Sequence, residues 1–136
     1  MSDLILNTSI LEQTKSEINN VLIKAGVNAV LLIDSAGNVI ASCGNKSQKM
    51  DTTALAALAA ANFGATSQIA KLIGEEDFSL LFHKGKKENI HFARIGKELI
   101  LITIFSDDIS LGLVRLRISQ LAETIKKLFE ERENGS

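Results

Sequence analysis

The run Glu98–Phe105, "ELILITIF", constrains the fold more than any other stretch. Its β-branched, alternating make-up reads as a strand, with Leu99, Leu101 and Phe105 on one face and Ile100, Ile102 and Ile104 on the other. A strand that is apolar on both faces has to be covered on both sides. The sheet that contains it therefore needs a layer above and a layer below.

The rest of the chain supplies those layers. The spacing of Ile10, Leu11, Thr14, Ile18, Val21 and Leu22 predicts a helix over Thr8–Lys24, ended by Gly26. "VNAVLLID" (Val27–Asp34) and "VIASC" then read as two strands turned by Gly37 and Asn38 in "SAGN". "GNKSQKM" (Gly44–Met50) reads as a polar loop, and Asp51 is placed to cap an alanine-rich helix running from Ala54 to about Ile73, where Gly74 stops it. "FSLLFHK" (Phe78–Lys84) and "NIHFARI" (Asn89–Ile95) are strand candidates joined to Glu98–Phe105 by short turns. "SDD" is expected to cap a last helix from Ile109 to about Glu131, with Val114, Ile118, Leu121, Ile125 and Leu128 on one face. The element order is αββαβββα. Short connections make the sheet antiparallel, which gives an α+β sandwich: five strands, the middle helix on one face and the terminal helices on the other. With 136 residues and no proline, linker or internal repeat, residues 1–136 form a single domain with its core over about 8–130.

Charge and composition narrow the function. A net charge of −1 and six Phe as the only aromatics offer neither the field nor the stacking surface that nucleic acid needs. Cys43 is alone, so no disulfide forms within the chain, and a reducing, cytoplasmic setting is expected. "MSDLILNTSILEQ" has none of the parts of an export signal. The uncharged run Thr52–Ala70 contains Asn62, Thr66, Ser67 and Gln68, so direct membrane insertion is not expected either. His83 and His91 sit on neighbouring strands without a third ligand at a fitting spacing, so no metal and no cofactor are expected. Asp107 and Asp108 precede a helix and read as capping residues rather than an acid–base pair. Lys84, Lys86 and Lys87 read as a solvated hairpin turn.

The middle helix raises the question of a partner. On a helical wheel, Leu55, Leu58, Asn62, Ala65, Ile69 and Leu72 gather on one side and are expected to face the sheet. Ala57, Ala60, Gly64, Ser67 and Lys71 lie opposite, with Ala61 and Gln68 beside them. Small residues let a second helix come close. A purely solvated face would carry Glu and Lys, and Gly64 costs about 1 kcal/mol relative to alanine inside a helix. A second copy of the chain is the simplest partner.

Four stretches in order, "GVNAVLLIDSAGNVIAS", "ALAALAAANFGATSQIAKLIGEEDF", "HKGKKENIHFARIGKELILITIF" and "SLGLVRLRISQLAETIKKLF", make the chain resemble the Roadblock/LC7 family. Within that family it looks like the MglB-like branch, bacterial partners of a small Ras-like GTPase. That resemblance implies a homodimer whose middle helices pack antiparallel and whose Phe78–Lys84 strands join two sheets. The partner interface would then comprise Ala57, Ala60, Ala61, Gly64, Ser67, Gln68 and Lys71 on the helix and Phe78, Leu80 and Phe82 on the strand. Unpaired, "FSLLFH" would be a hydrophobic edge, a liability that pairing removes. The resemblance further implies a regulator that stimulates GTP hydrolysis by ordering the partner's own switch residues. The chain lacks G-x-x-x-x-G-K-[ST], so it is not the nucleotide binder itself, and the resemblance implies that it donates no catalytic residue. Arg94, Arg115 and Arg117 are the residues to check against an arginine finger. Two alternatives stand beside this reading: a dimeric scaffold of the same fold in a motor or signalling assembly, and a small-ligand sensor.

Overall fold

A computed structural model describes residues 8–76 and 80–134. The strand Leu99–Phe105 (β5) lies at the centre of a five-stranded antiparallel sheet, and every one of its residues is buried. Its neighbour Ala29–Asp34 (β1) is buried throughout as well. With Val39–Cys43 (β2), Leu80–Lys84 (β3) and Asn89–Ile95 (β4), the strand order is β2-β1-β5-β4-β3.

The helix Thr52–Leu72 (α2) covers one face, where Ala56, Ala59 and Phe63 meet Leu31, Ile33, Phe92, Ile100 and Ile102. Thr8–Ile18 (α1) and Leu111–Asn134 (α3) cover the other, bringing Ile18, Val114, Ile118, Leu121 and Ile125 onto Val30, Leu32, Leu101 and Phe105. Both faces of β5 are thus covered, and the layers are those the sequence predicts.

Local chemistry explains the boundaries. Beyond Ile18 the first helix widens into a π-turn, Asn19–Ile23, with the Lys24 N–H donating to the Asn19 carbonyl, and the chain turns at Gly26 with φ of 110°. The expected polar loop forms a 3₁₀-helix over Asn45–Lys49, in which the Ser47 hydroxyl donates to the Gly44 carbonyl at 2.7 Å. Asp51 caps α2, accepting from the Ala54 N–H at 3.0 Å. Gly74, with φ of 84°, ends it: Glu75 N–H donates to the Ala70 carbonyl and Gly74 N–H to that of Lys71, the bond pair of a Schellman motif.

Two expectations are corrected. Asp107 and Asp108 do not cap α3; Ser110 does, its hydroxyl accepting from the Leu113 N–H at 3.1 Å. Asp107 instead accepts from Lys84 at 2.8 Å and from the Asn89 amide at 2.9 Å, and these two bonds hold its carboxyl below the usual carboxylate range. Lys84 is therefore tied to Asp107 rather than simply solvated. His83 and His91 lie on adjacent strands, as expected, and on opposite faces of the sheet: His83 points to the α2 side, edge-on to Phe92, while His91 is buried under α3.

Candidate functional site: the outer face of the middle helix

Which side of α2 meets the sheet is decided by shape. The sheet already presents bulky Leu31, Ile33, Phe92, Ile100 and Ile102, so a helix seats closely on it only through small residues. Ala56 and Ala59 provide that flat side, and Phe63 fills the remaining gap, edge-on to Phe92 at 6.1 Å. The expected sheet-facing stripe is overturned at its largest members. Leu58 is 69% exposed, Ile69 54% and Leu72 86%; of that stripe Leu55 alone packs partly against the core.

The outer side is consequently apolar as well as small. Ala54, Leu58, Ala61, Ala65, Gln68 and Leu72 follow one another at alternating spacings of four and three residues, with Ile69 beside Gln68. Such spacing keeps a seam on one side of a helix. Of the expected interface residues, Ala57, Ala61, Gly64, Gln68 and Lys71 are exposed on or beside this seam, whereas Ala60 and Ser67 are half-buried, Ala60 against the sheet. Gly64 opens onto free space: a Cβ added there meets nothing within 4 Å. Leu58, Ile69 and Leu72 are the residues missed as part of this surface. Their signal was the four-three spacing itself, masked by the assumption that leucine turns inward.

The second candidate element is β3. Among the described residues it pairs with β4 along one edge and with no strand along the other. Phe82 turns inward to the α1/α3 layer and stacks on Phe105 at 6.2 Å, so its side chain serves the core. Leu80 opens the strand, and Phe78 lies outside the described residues.

None of the three arginines in question projects from the outer face of α2. The Arg94 guanidinium lies 5.1 Å from the Phe63 ring centroid and donates to the Lys97 carbonyl, while Arg115 and Arg117 are on α3, across the sheet. Among the described residues no group of three or more His, Cys, Asp or Glu is placed to hold a metal, and no helix is long and apolar enough to cross a membrane. One open cavity of about 520 Å³ is lined by Lys15, Asn19, Ser42 and Cys43; burial pushes the Cys43 thiol up, against a smaller lowering by Lys15. What the outer face of α2 offers chemically is apolar contact.

Comparison with known proteins agrees with this architecture. The sequence profile of the Roadblock/LC7 domain matches residues 15–105. The structure is similar to Myxococcus xanthus MglB at 36% identity, covering 94% of this chain and 96% of that one, with a TM-score of 0.86. It is also similar to a gliding protein MglB from Thermus thermophilus, at 28% identity over 96% of this chain and 98% of that one, with a TM-score of 0.87. An MglB with a tetrameric arrangement superposes at a TM-score of 0.88, with 28% identity over 96% and 98% of the two chains. Among curated protein sequences no relative matches.

Proposed function

Since this chain belongs to the Roadblock/LC7 domain family, we propose that it works as a homodimer whose paired α2 helices form a docking platform for a small Ras-like GTPase and stimulate GTP hydrolysis there. The observation that carries the proposal is the seam of Leu58, Ala61, Ala65, Ile69 and Leu72 turned away from its own core. A two-fold axis near Ala65 sets Leu58 of one copy against Leu72 of the second, with Ala61 against Ile69. Large residues thereby meet at the ends, and small ones let the backbones approach at the centre.

Magnitudes indicate that this contact does not act alone. Covering an exposed aliphatic side chain is worth on the order of 1–2 kcal/mol, so Leu58, Ile69 and Leu72 from each of two copies contribute about 6–12 kcal/mol. Association itself costs about 4–15 kcal/mol. The seam by itself is marginal, and pairing of the two β3 edges, which have no neighbouring strand among the described residues, supplies a second contribution.

Activation proceeds by ordering the partner's own switch residues. The inward engagement of Arg94 and the far-side placement of Arg115 and Arg117 support a mechanism without an arginine finger. A cytoplasmic regulator of this kind uses no metal or cofactor of its own. The Ras-like GTPase is first recovered from native extract with GTP and GDP analogues, and its single-turnover hydrolysis is then timed with and without the chain. Acceleration retained by Arg94→Ala, Arg115→Ala and Arg117→Ala, and lost with Gly64→Arg, is the expected result. An unchanged hydrolysis rate with binding intact would instead mark a scaffold. A thousandfold loss in one folded arginine variant would overturn activation by ordering.

A further inference from the structure

The opposite face of the sheet holds a histidine that the platform does not use. His91 on β4 is fully buried, and so is Thr103, its neighbour across the β4–β5 ladder. Neither imidazole nitrogen has a hydrogen-bond partner in the protein, and neither has the Thr103 hydroxyl. Buried polar side chains are partnered in the large majority of cases, so two adjacent exceptions in one layer require a reason.

The surroundings of His91 are apolar or cationic. Phe82 faces it from β3, and Ala93 and Asn89 flank it on its own strand, the Asn89 amide being engaged by the Phe105 carbonyl and Asp107. From β5 comes Thr103, with Leu101 and Phe105 on the same face; Val114 and Ile118 of α3 belong to the same layer, and α3 carries one charge that acts on the imidazole, the Arg115 guanidinium. Lys84, further along β3, is paired with Asp107. Among the described residues, no carboxylate offsets the effect of Arg115 on this imidazole.

We infer that His91, with Thr103 as its polar neighbour, is an acid-sensitive latch beneath α3: the neutral imidazole lets the helix lie sealed on the sheet, and protonation drives the helix off that seat. An imidazolium carries two N–H donors, and Thr103 can accept from only one of them. The charge is also buried and repelled by the Arg115 guanidinium, so it is relieved by letting water in. β4 is held by backbone ladders on both sides, whereas α3 is held to this layer by side-chain packing, so α3 is the element that yields.

Titration follows the same geometry. Burial first, and Arg115 second, lower His91 to about 4 from its ordinary 6.5. In the opened or unfolded chain the imidazole returns to about 6.5. The stability due to the neutral form is therefore fully present above about pH 6.5, declines as pH falls, and is lost below about pH 4. Full expression corresponds to an unfolding constant raised about 300-fold. Asp107, held below the usual carboxylate range, acts at lower pH and does not produce this loss.

Urea unfolding of wild type, His91→Leu and Thr103→Val between pH 7.5 and 4 tests the latch, together with imidazole Cε1 NMR titration, the two histidines being told apart with His83→Gln. Wild type and Thr103→Val are expected to lose stability over this window, and His91→Leu to lose most of that dependence. Amide exchange, corrected for intrinsic rates, should quicken in α3 before α2 as pH falls from 6.5 to 5. Parallel losses in wild type and His91→Leu would overturn the latch. So would uniform exchange, or a His91 signal titrating near 6.5 with α3 still seated. If His91→Leu does not fold, the wild-type titration and exchange decide the matter on their own.

Discussion

Gly44 joins β2 to the 3₁₀-helix with φ of 95°, and a Cβ built there would stand 2.4 Å from the Asn28 carbonyl oxygen. That oxygen belongs to backbone and cannot step aside, so two penalties combine: left-handed strain and a steric clash. Gly44→Ala should cost more than about 2 kcal/mol in urea unfolding. Gly64 is the instructive contrast, because it has helical backbone and empty space where a Cβ would go. In a subunit kept monomeric by dilution, Gly64→Ala should therefore gain about 1 kcal/mol. A loss at Gly64 in the monomer would mean that its side is not open. The sequence displays both residues as the same letter; only the path of the neighbouring chain separates them.

At the scale of elements, the clarity of the sequence tracks how many independent signals coincide. β5 was unambiguous because its two apolar faces admit one kind of environment, and the structure buries all its residues. Asp51 and Gly74 bounded α2 correctly because caps act through local hydrogen bonds that need no tertiary context. Removing the first of these, with Asp51→Ala, should lower stability by about 1 kcal/mol in a thermal or urea melt and leave the seat of the helix unchanged. The seat itself was not legible. A helix rich in alanine carries little contrast between its sides, and its leucines suggested the wrong one. Shape decided it: Phe63, Ala56 and Ala59 fit a sheet surface already crowded with isoleucine, leucine and phenylalanine. For the same reason the set read from sequence was drawn to small residues; Leu58, Ile69 and Leu72 are exposed apolar residues outside it, and Ala60 and Ser67 within it are half-buried. The cap of α3 was misplaced by two candidate acids whose real engagement, with Lys84 and Asn89, is long-range in sequence.

At the scale of the molecule, the proposed dimer makes a geometric demand that a generic sticky surface does not. If two α2 helices cross antiparallel about an axis near Ala65, residue 58 of one copy lies beside residue 72 of the other. The two copies of residue 58 then stand about 21 Å apart along the helices, at ~1.5 Å per residue. Disulfides require Cα atoms within about 7 Å, so cross-linking reads this register directly. Cys43 is buried and its thiol is pushed up by that burial, which leaves it a quiet background. Under mild oxidation, Ala65→Cys should link to itself, Leu58→Cys alone should not, and Leu58→Cys combined with Leu72→Cys should. A covalent dimer from Leu58→Cys alone would require parallel or displaced helices and exclude this register. Gly64→Arg addresses the same arrangement from the opposite direction. Because the side chain enters free space in the single subunit, the variant should stay folded, and its effect should be confined to a fall in sedimenting mass from dimer to monomer. A folded Gly64→Arg dimer would move the contact elsewhere and leave the apolar seam of α2 for a different partner.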